Sequence, residues 1–189
     1  MKTKYLALLV AGVIIAGTVF LSSQGKVTEQ KKAPSGELAG EVSTSAPAGA
    51  GRELFKDYPA PDFYINSDGK TTTLSELGGK KIFINFWNTW CPPCKEEMPD
   101  LNRLYLENKG KAEFLFINIT AQEKTTEEVT GFLKDKKLQL PVYLDRDAGV
   151  AQLYGVRSIP TTVVLGPGGK VLYAQPGLLT YEQAAELIK

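Results

Sequence analysis

Cys91 and Cys94 are the only two cysteines in a chain of 189 residues, and the chain has no histidine. Two thiols cannot complete a four-ligand structural zinc site, and no histidine is present to help. The missing histidine also excludes haem attachment through C-x-x-C-H and every Ser–His or Cys–His catalytic pair. What remains for a lone C-x-x-C is thiol chemistry. As a purely structural crosslink the pair would close a very short loop, and crosslink stabilisation grows with loop length. Reversible exchange with other disulfides is the better use of it.

The surroundings of the pair read FINFWNTWCPPCKEEMPDLNRLY. Residues 81–87 (KIFINFW) are an apolar, β-prone run expected to form a buried strand. Residues 92–108 carry Met98, Leu101, Leu104 and Tyr105 at helical spacing, with Pro92 and Pro93 suited to a first turn and Pro99 expected to kink the helix. The cysteines therefore sit where a strand passes into a helix. Free backbone amides and the positive end of the helix dipole stabilise a thiolate there. Cys91, at or before the first turn, is expected to be the more exposed sulfur and the nucleophile. Cys94, one turn inward, is expected to resolve the mixed disulfide.

Around this junction the chain divides into four parts. Residues 1–4 form a short tail with Lys2 and Lys4, expected to be cytoplasmic, and residues 5–21 are uncharged and apolar. As a helix the run spans about 26 Å, a little under the ~30 Å hydrocarbon core, and snorkelling of Lys4 shortens the gap. No clear A-x-A cleavage site follows, which favours a retained signal anchor over a removed signal peptide. No cysteine ends the segment to accept lipid. Lys26, Lys31 and Lys32 lie just beyond it and weaken the positive-inside count, but so short a tail favours an exported C-terminal part. Residues 22–53 are rich in Gly, Ala, Ser, Pro and Thr without an aromatic, and read as a flexible low-complexity linker. Its r.m.s. reach is roughly 30 Å.

From residue 54 to 189 the pattern is that of one folded domain. Short strands at 61–66 and 71–74 flank a turn at 67–69, with a helical turn at 75–77. After the strand and helix that hold the cysteines come a buried strand at 113–119 and an amphipathic helix at 125–136. A strand at 142–144, a helix at 148–154, a strand pair at 161–165 and 170–174, and a last helix from Tyr181 capped by Thr180 follow. Strands alternating with helices and closing on a hairpin predict an α/β fold, a mixed sheet covered on both faces. Net charge is +1 and no basic cluster is present, which argues against nucleic acid as a partner.

The residues 58–189, above all PAPDFYINSDGKTTTLSELGGKKIFINFWNTWCPPCKEEMP and YGVRSIPTTVVLGPGGKV, resemble the thioredoxin superfamily and within it the TlpA/ResA-like branch of membrane-tethered, extracytoplasmic thiol–disulfide oxidoreductases. The resemblance implies a thioredoxin-like fold with a central mixed β-sheet flanked by helices and an N-terminal β-hairpin extension. It implies no cofactor beyond the redox-active Cys91–Cys94 disulfide, and no metal. Trp90 matches the tryptophan that shields one side of the dithiol. Pro160 matches the loop proline held in cis beside it, and with the backbone of Ile159 it is expected to pair with an extended substrate strand. Glu97 matches an acidic residue associated with proton handling. One helical turn brings it toward Cys94, where a partly desolvated carboxylate would relay protons; the alternative is a solvated helix glutamate like Glu96.

Two departures from cytoplasmic thioredoxin matter. Asn85 stands where that protein has a buried aspartate, which shifts proton handling to Glu97 or water. Pro92 removes an amide near Cys91, which favours a less oxidising, reductase-like couple. The partners then implied are a disulfide-bearing exported protein, apocytochrome c in one branch of the family, and a membrane thiol carrier as electron donor. A disulfide-forming oxidase uses the same cysteines in reverse. A thiol peroxidase would want P-x-x-x-T-x-x-C, but Asn88 lies three before Cys91 and no proline has the required offset. A copper chaperone of related fold uses C-x-x-x-C with a distant histidine, and both are missing.

Overall fold

The computed structural model describes residues 36–47, 51 and 53–189. The apolar run at 5–21 lies outside the described residues, among which no helix is long and apolar enough to cross a membrane. Among the described residues eight strands form one sheet: β1 (Gly40–Ser43), β2 (Tyr64–Ser67), β3 (Lys70–Thr73), β4 (Lys81–Trp87), β5 (Ala112–Asn118), β6 (Val142–Asp145), β7 (Thr161–Leu165) and β8 (Val171–Pro176). Their order across the sheet is β3-β2-β1-β6-β5-β4-β7-β8. β4, β5, β6 and β1 run parallel, while β7, β8 and the β2–β3 hairpin run antiparallel to their neighbours. This is the thioredoxin-like mixed sheet. Four helices cover it: α1 (Pro92–Asn108), α2 (Thr126–Asp135), α3 (Gly149–Leu153) and α4 (Tyr181–Ile188).

β4 carries the period of two that splits the core. Phe83 and Trp87 point to the face covered by α1, α2 and α4, where they join Met98, Leu101, Phe114 and Leu133. Ile82, Ile84 and Phe86 point to the other face, against Ile65, Ile117 and Tyr154. Burial on both faces is what a parallel central strand requires, and it explains the nearly continuous apolar run. Asn85 falls in the α1-facing row between Phe83 and Trp87, so a fully buried amide is aimed at α1.

Local chemistry accounts for the ends of the elements. α1 runs through Pro99, whose missing amide falls on the exposed side of the helix. Thr125 Oγ1 caps α2 by accepting the Glu128 amide at 3.3 Å, and Glu127 and Glu128 sit at the helix's positive end. Asp68 and Gly69 turn the β2–β3 hairpin with φ of 50° and 72°, the left-handed pair a two-residue hairpin needs. The segment leading into the hairpin is held by Tyr154, whose hydroxyl donates to the Pro61 carbonyl at 2.8 Å and whose ring meets Phe63.

The linker reading of 22–53 fails at residues 40–43. These form β1, which pairs with β2 on one side and β6 on the other and buries Val42. The folded unit thus begins before residue 54, and the hairpin reaches the rest of the sheet through β1. The stretch has little apolar surface of its own. Its order comes from backbone hydrogen bonds to two neighbours, which composition does not record.

Removing β1 would leave β2 and β6 with unpaired edges and Phe63, Ile65 and Tyr143 partly uncovered. A chain starting at residue 54 is expected to melt lower than one starting at residue 36, by about 10 °C or more. Calorimetry on the two chains checks this; equal melting points would make β1 an ornament.

Candidate active site

β4 ends at Trp87, and after three intervening residues the chain enters α1 with Cys91 as its N-cap, at φ −83° and ψ 113°. An N-cap side chain accepts the amide of the second or third helical residue. Here the first two are Pro92 and Pro93, so the nearest donor is the Cys94 amide, 3.3 Å from Cys91 Sγ. The two sulfurs are joined in a disulfide with Cα atoms 5.3 Å apart. Ile159 and Pro160, on the loop before β7, face this junction. Their peptide bond is cis, and the Ile159 carbonyl oxygen lies 3.7 Å from Cys91 Sγ.

Cys91, expected to be the more exposed sulfur, is 2 % exposed against 0 % for Cys94. The Ile159 carbonyl lies over Cys91 Sγ, and Ile159 packs against the core cluster that holds both cysteines. The order of exposure stands but the contrast is small. Both belong to the core that holds Met98 and Leu101, and what separates them is position: Cys91 is the N-cap beside a loop carbonyl, Cys94 the third residue of the helix.

Glu97 is 1 % exposed, so it is not a solvated helix residue like Glu96. Asn85 Nδ2 donates to its Oε1 at 2.9 Å, and the Leu179 amide donates to its Oε2 at 3.1 Å. Asn85 is itself steadied by Thr162, its register partner on β7, through a 3.2 Å bond from Nδ2 to Oγ1. Loss of hydration raises the Glu97 carboxyl, and the two hydrogen bonds only partly oppose this, leaving it at about 7 against an ordinary 4.5. A carboxyl with this affinity, one turn from a buried thiol, gives and takes a proton near neutral pH.

Trp90 stays outside the core at 53 % exposure, although its indole Nε1 is tied to the Gln122 carbonyl at 2.9 Å. With Thr89, Glu128, Gly131 and Phe132 it lines an open groove of about 730 Å³ beside the Cys91 loop. Spacing in the sequence singles out neither Leu179 nor Glu123, whose carboxylate receives the amide and hydroxyl of Thr89. The one available signal for Glu123 is its place just past the carboxyl end of a buried strand. That is where open α/β sheets assemble their sites.

The sequence profile of the family described as Redoxin matches residues 55–186. The chain belongs to the redoxin family. It is 38% identical over 131 residues to the thiol-disulfide oxidoreductase ResA of Bacillus thuringiensis subsp. konkukian, an alignment covering 69% of this chain and 75% of that one. With ResA of Bacillus subtilis it shares 37% identity over 134 residues, 69% of this chain and 73% of the relative. The crystal structure of StoA from Bacillus subtilis superposes with a TM-score of 0.62 at 28% identity, covering 70% of this chain and 99% of that one. Among redoxins this one is a thiol–disulfide oxidoreductase of the ResA type, with a close cysteine pair at a strand–helix junction.

In this redoxin the folded Glu97 carboxyl keeps its proton up to about pH 7, whereas an unfolded one loses it near 4.5. Between those values the folded state binds more protons, so the group's contribution to stability falls as pH rises. The full effect is on the order of 3 kcal/mol. Glu97→Gln is expected to flatten the fall in melting temperature between about pH 5 and 7. Asp145, a buried carboxyl on the amides of Val150 and Ala151 that burial pushes up to about 6, contributes a slope of the same sign that the variant keeps. An unchanged slope in the variant would mean that Glu97 titrates in its ordinary range.

Proposed function

We propose that this redoxin is a membrane-tethered, extracytoplasmic disulfide reductase acting on exported proteins, apocytochrome c among the candidates. The observation that carries the reading is the different setting of two equally buried cysteines: Cys91 Sγ caps the helix, accepting the Cys94 amide, and lies against the Ile159 carbonyl, while Cys94 sits three residues into the helix. A substrate strand laid along Ile159 and Pro160 by backbone pairing puts its disulfide at Cys91 and away from Cys94. Trp90 bounds the same approach.

The cycle starts from the dithiol. The Cys91 thiolate attacks one substrate sulfur, the substrate S–S bond breaks, and the departing sulfur leaves as a thiolate that takes a proton from solvent. Cys94 then gives its proton to the Glu97 carboxylate and attacks Cys91 Sγ. The mixed disulfide breaks, the second substrate sulfur leaves, and Glu97 returns the proton to it directly or through water. Two electrons pass to the substrate and the Cys91–Cys94 disulfide is formed. A membrane thiol carrier restores the dithiol by the reverse exchange.

The two prolines support the reductive direction. A disulfide is strongly oxidising when its reduced form is stabilised. Here Pro92 and Pro93 offer no N–H, which leaves the Cys91 thiolate one near helix amide where an ordinary first turn supplies more. The tether rests on residues 5–21, whose apolar run and preceding lysines fit a signal anchor.

The reduction potential, measured by equilibration with a glutathione or dithiothreitol buffer, is expected near about −270 mV; a value near about −120 mV would make the protein an oxidase. Cys94→Ser should accumulate mixed disulfides on Cys91 with exported proteins. Their absence from cells in which the variant is folded would remove Cys91 as the attacking thiol. Wild-type turnover should also fall as pH drops through about 7, where Glu97 becomes protonated before it can accept the Cys94 proton. Glu97→Gln should lose that limb.

A further inference from the structure

Glu123 follows a 3₁₀ turn at Thr120–Gln122, between β5 and α2, and its carboxylate receives four hydrogen bonds. Oε1 accepts from Asn88 Nδ2 at 2.9 Å, from the Thr89 amide at 2.7 Å and from Asn118 Nδ2 at 2.7 Å. Oε2 accepts from the Thr89 hydroxyl at 2.6 Å. Three of these four donors belong to Asn88 and Thr89, in the short segment joining β4 to Cys91. Two further bonds tie the same segment to the same loop: Asn88 Nδ2 to the Ile119 carbonyl at 2.9 Å, and Trp90 Nε1 to the Gln122 carbonyl at 2.9 Å.

We propose that Glu123 is a positioning residue for thiol–disulfide exchange: its carboxylate latches Asn88 and Thr89 to the β5–α2 loop and so sets where Cys91 Sγ and the Trp90 ring meet a substrate. This rests on Cys91 being the attacking thiol. Residues 88–90 belong to neither sheet nor helix, so no ladder of backbone bonds fixes them. Within the segment the Cys91 amide reaches the Asn88 carbonyl at 3.4 Å, a long bond that holds little by itself. The short bonds are those to Glu123. Every donor on the carboxylate is neutral, so its work here is to accept hydrogen bonds in a fixed geometry.

That geometry makes a prediction that charge alone would not. Three of the donors are N–H groups, which can only donate, and all three meet Oε1. The fourth is a hydroxyl, which can turn and accept. A glutamine at 123 therefore keeps all four contacts, with its oxygen in place of Oε1 and its NH₂ donating to Thr89 Oγ1. An alanine keeps none.

The test is the rate at which Cys91 forms a mixed disulfide with a model protein disulfide, measured in the full-length chain carrying Cys94→Ser so that the attack step is isolated. Adding Glu123→Ala is expected to slow that step about tenfold or more and to shift the pH dependence of Cys91 thiolate absorbance, because attack is sensitive to small misplacements. Adding Glu123→Gln is expected to stay within about threefold of the parent with an unshifted titration. Trp90 fluorescence anisotropy should fall in the alanine variant and not in the glutamine one. An unchanged rate with alanine, or equal damage from both substitutions, overturns the latch. If the alanine variant does not fold, Thr89→Val removes the Oε2 contact alone and should slow attack in the same direction by less; no change there overturns the proposal too. Failure of the Cys94→Ser parent to form any adduct would instead sink the assignment of Cys91 as nucleophile.

Discussion

The site is organised by the scarcity of backbone donors at the start of α1. A helix N-terminus normally turns several free amides toward whatever lies beyond it, and a sulfur placed there is stabilised as thiolate by all of them. In this chain Pro92 and Pro93 occupy the first two helical positions, so Cys91 Sγ is left with the Cys94 amide. The helix is well begun, because proline suits these positions, but the thiolate is supported sparingly. Other features of the centre follow from this economy. Proton affinity must be managed from elsewhere, and the loop that presents Cys91 must be held by side chains.

The proton management falls to Glu97, and the sheet decides how it is done. β4 is buried on both faces, and its alternation puts Asn85 under α1 in a row otherwise occupied by Phe83 and Trp87. An amide there supplies a hydrogen bond to Glu97 without adding a second charge, so the carboxyl remains governed by its lost hydration. Had this position carried an aspartate, two acids would have shared the space and their titrations would have coupled. The Leu179 amide, from the loop that enters α4, holds the other oxygen and fixes which way the carboxyl faces. Strand β4, helix α1 and the approach to α4 are all needed to make one carboxyl useful.

Much of this was legible along the chain because the groups involved are neighbours in sequence or repeat with a regular period. C-x-x-C at a strand-to-helix junction, the apolar run of β4, the stripe Met98–Leu101–Leu104–Tyr105 and the cap Thr180 each declare themselves within a few residues. The cis bond at Ile159–Pro160 was expected from resemblance and is present. The strand at Gly40–Ser43 escaped notice, since it owes its order to β2 and β6 on either side and carries one core residue, Val42. The near-equal burial of Cys91 and Cys94 could not be read either, because the cover comes from a loop almost seventy residues later.

The division between sequence and tertiary structure is one of distance along the chain. Local spacing alone determined that a dithiol sits at a helix N-terminus, that two prolines stand between its sulfurs and that a glutamate follows one turn later. Those facts name the chemistry as thiol–disulfide exchange. Whether Glu97 would be wet or dry depended on what the sheet and the α4 loop place around it, and only folding brings Asn85, Thr162 and Leu179 to one point. In the same way Glu123 is an unremarkable residue in a polar loop until β5, lying parallel to β4, delivers it to the segment before Cys91. Desolvation and hydrogen-bond partnership are properties of the space around a group, and that space is filled by residues far away in the chain.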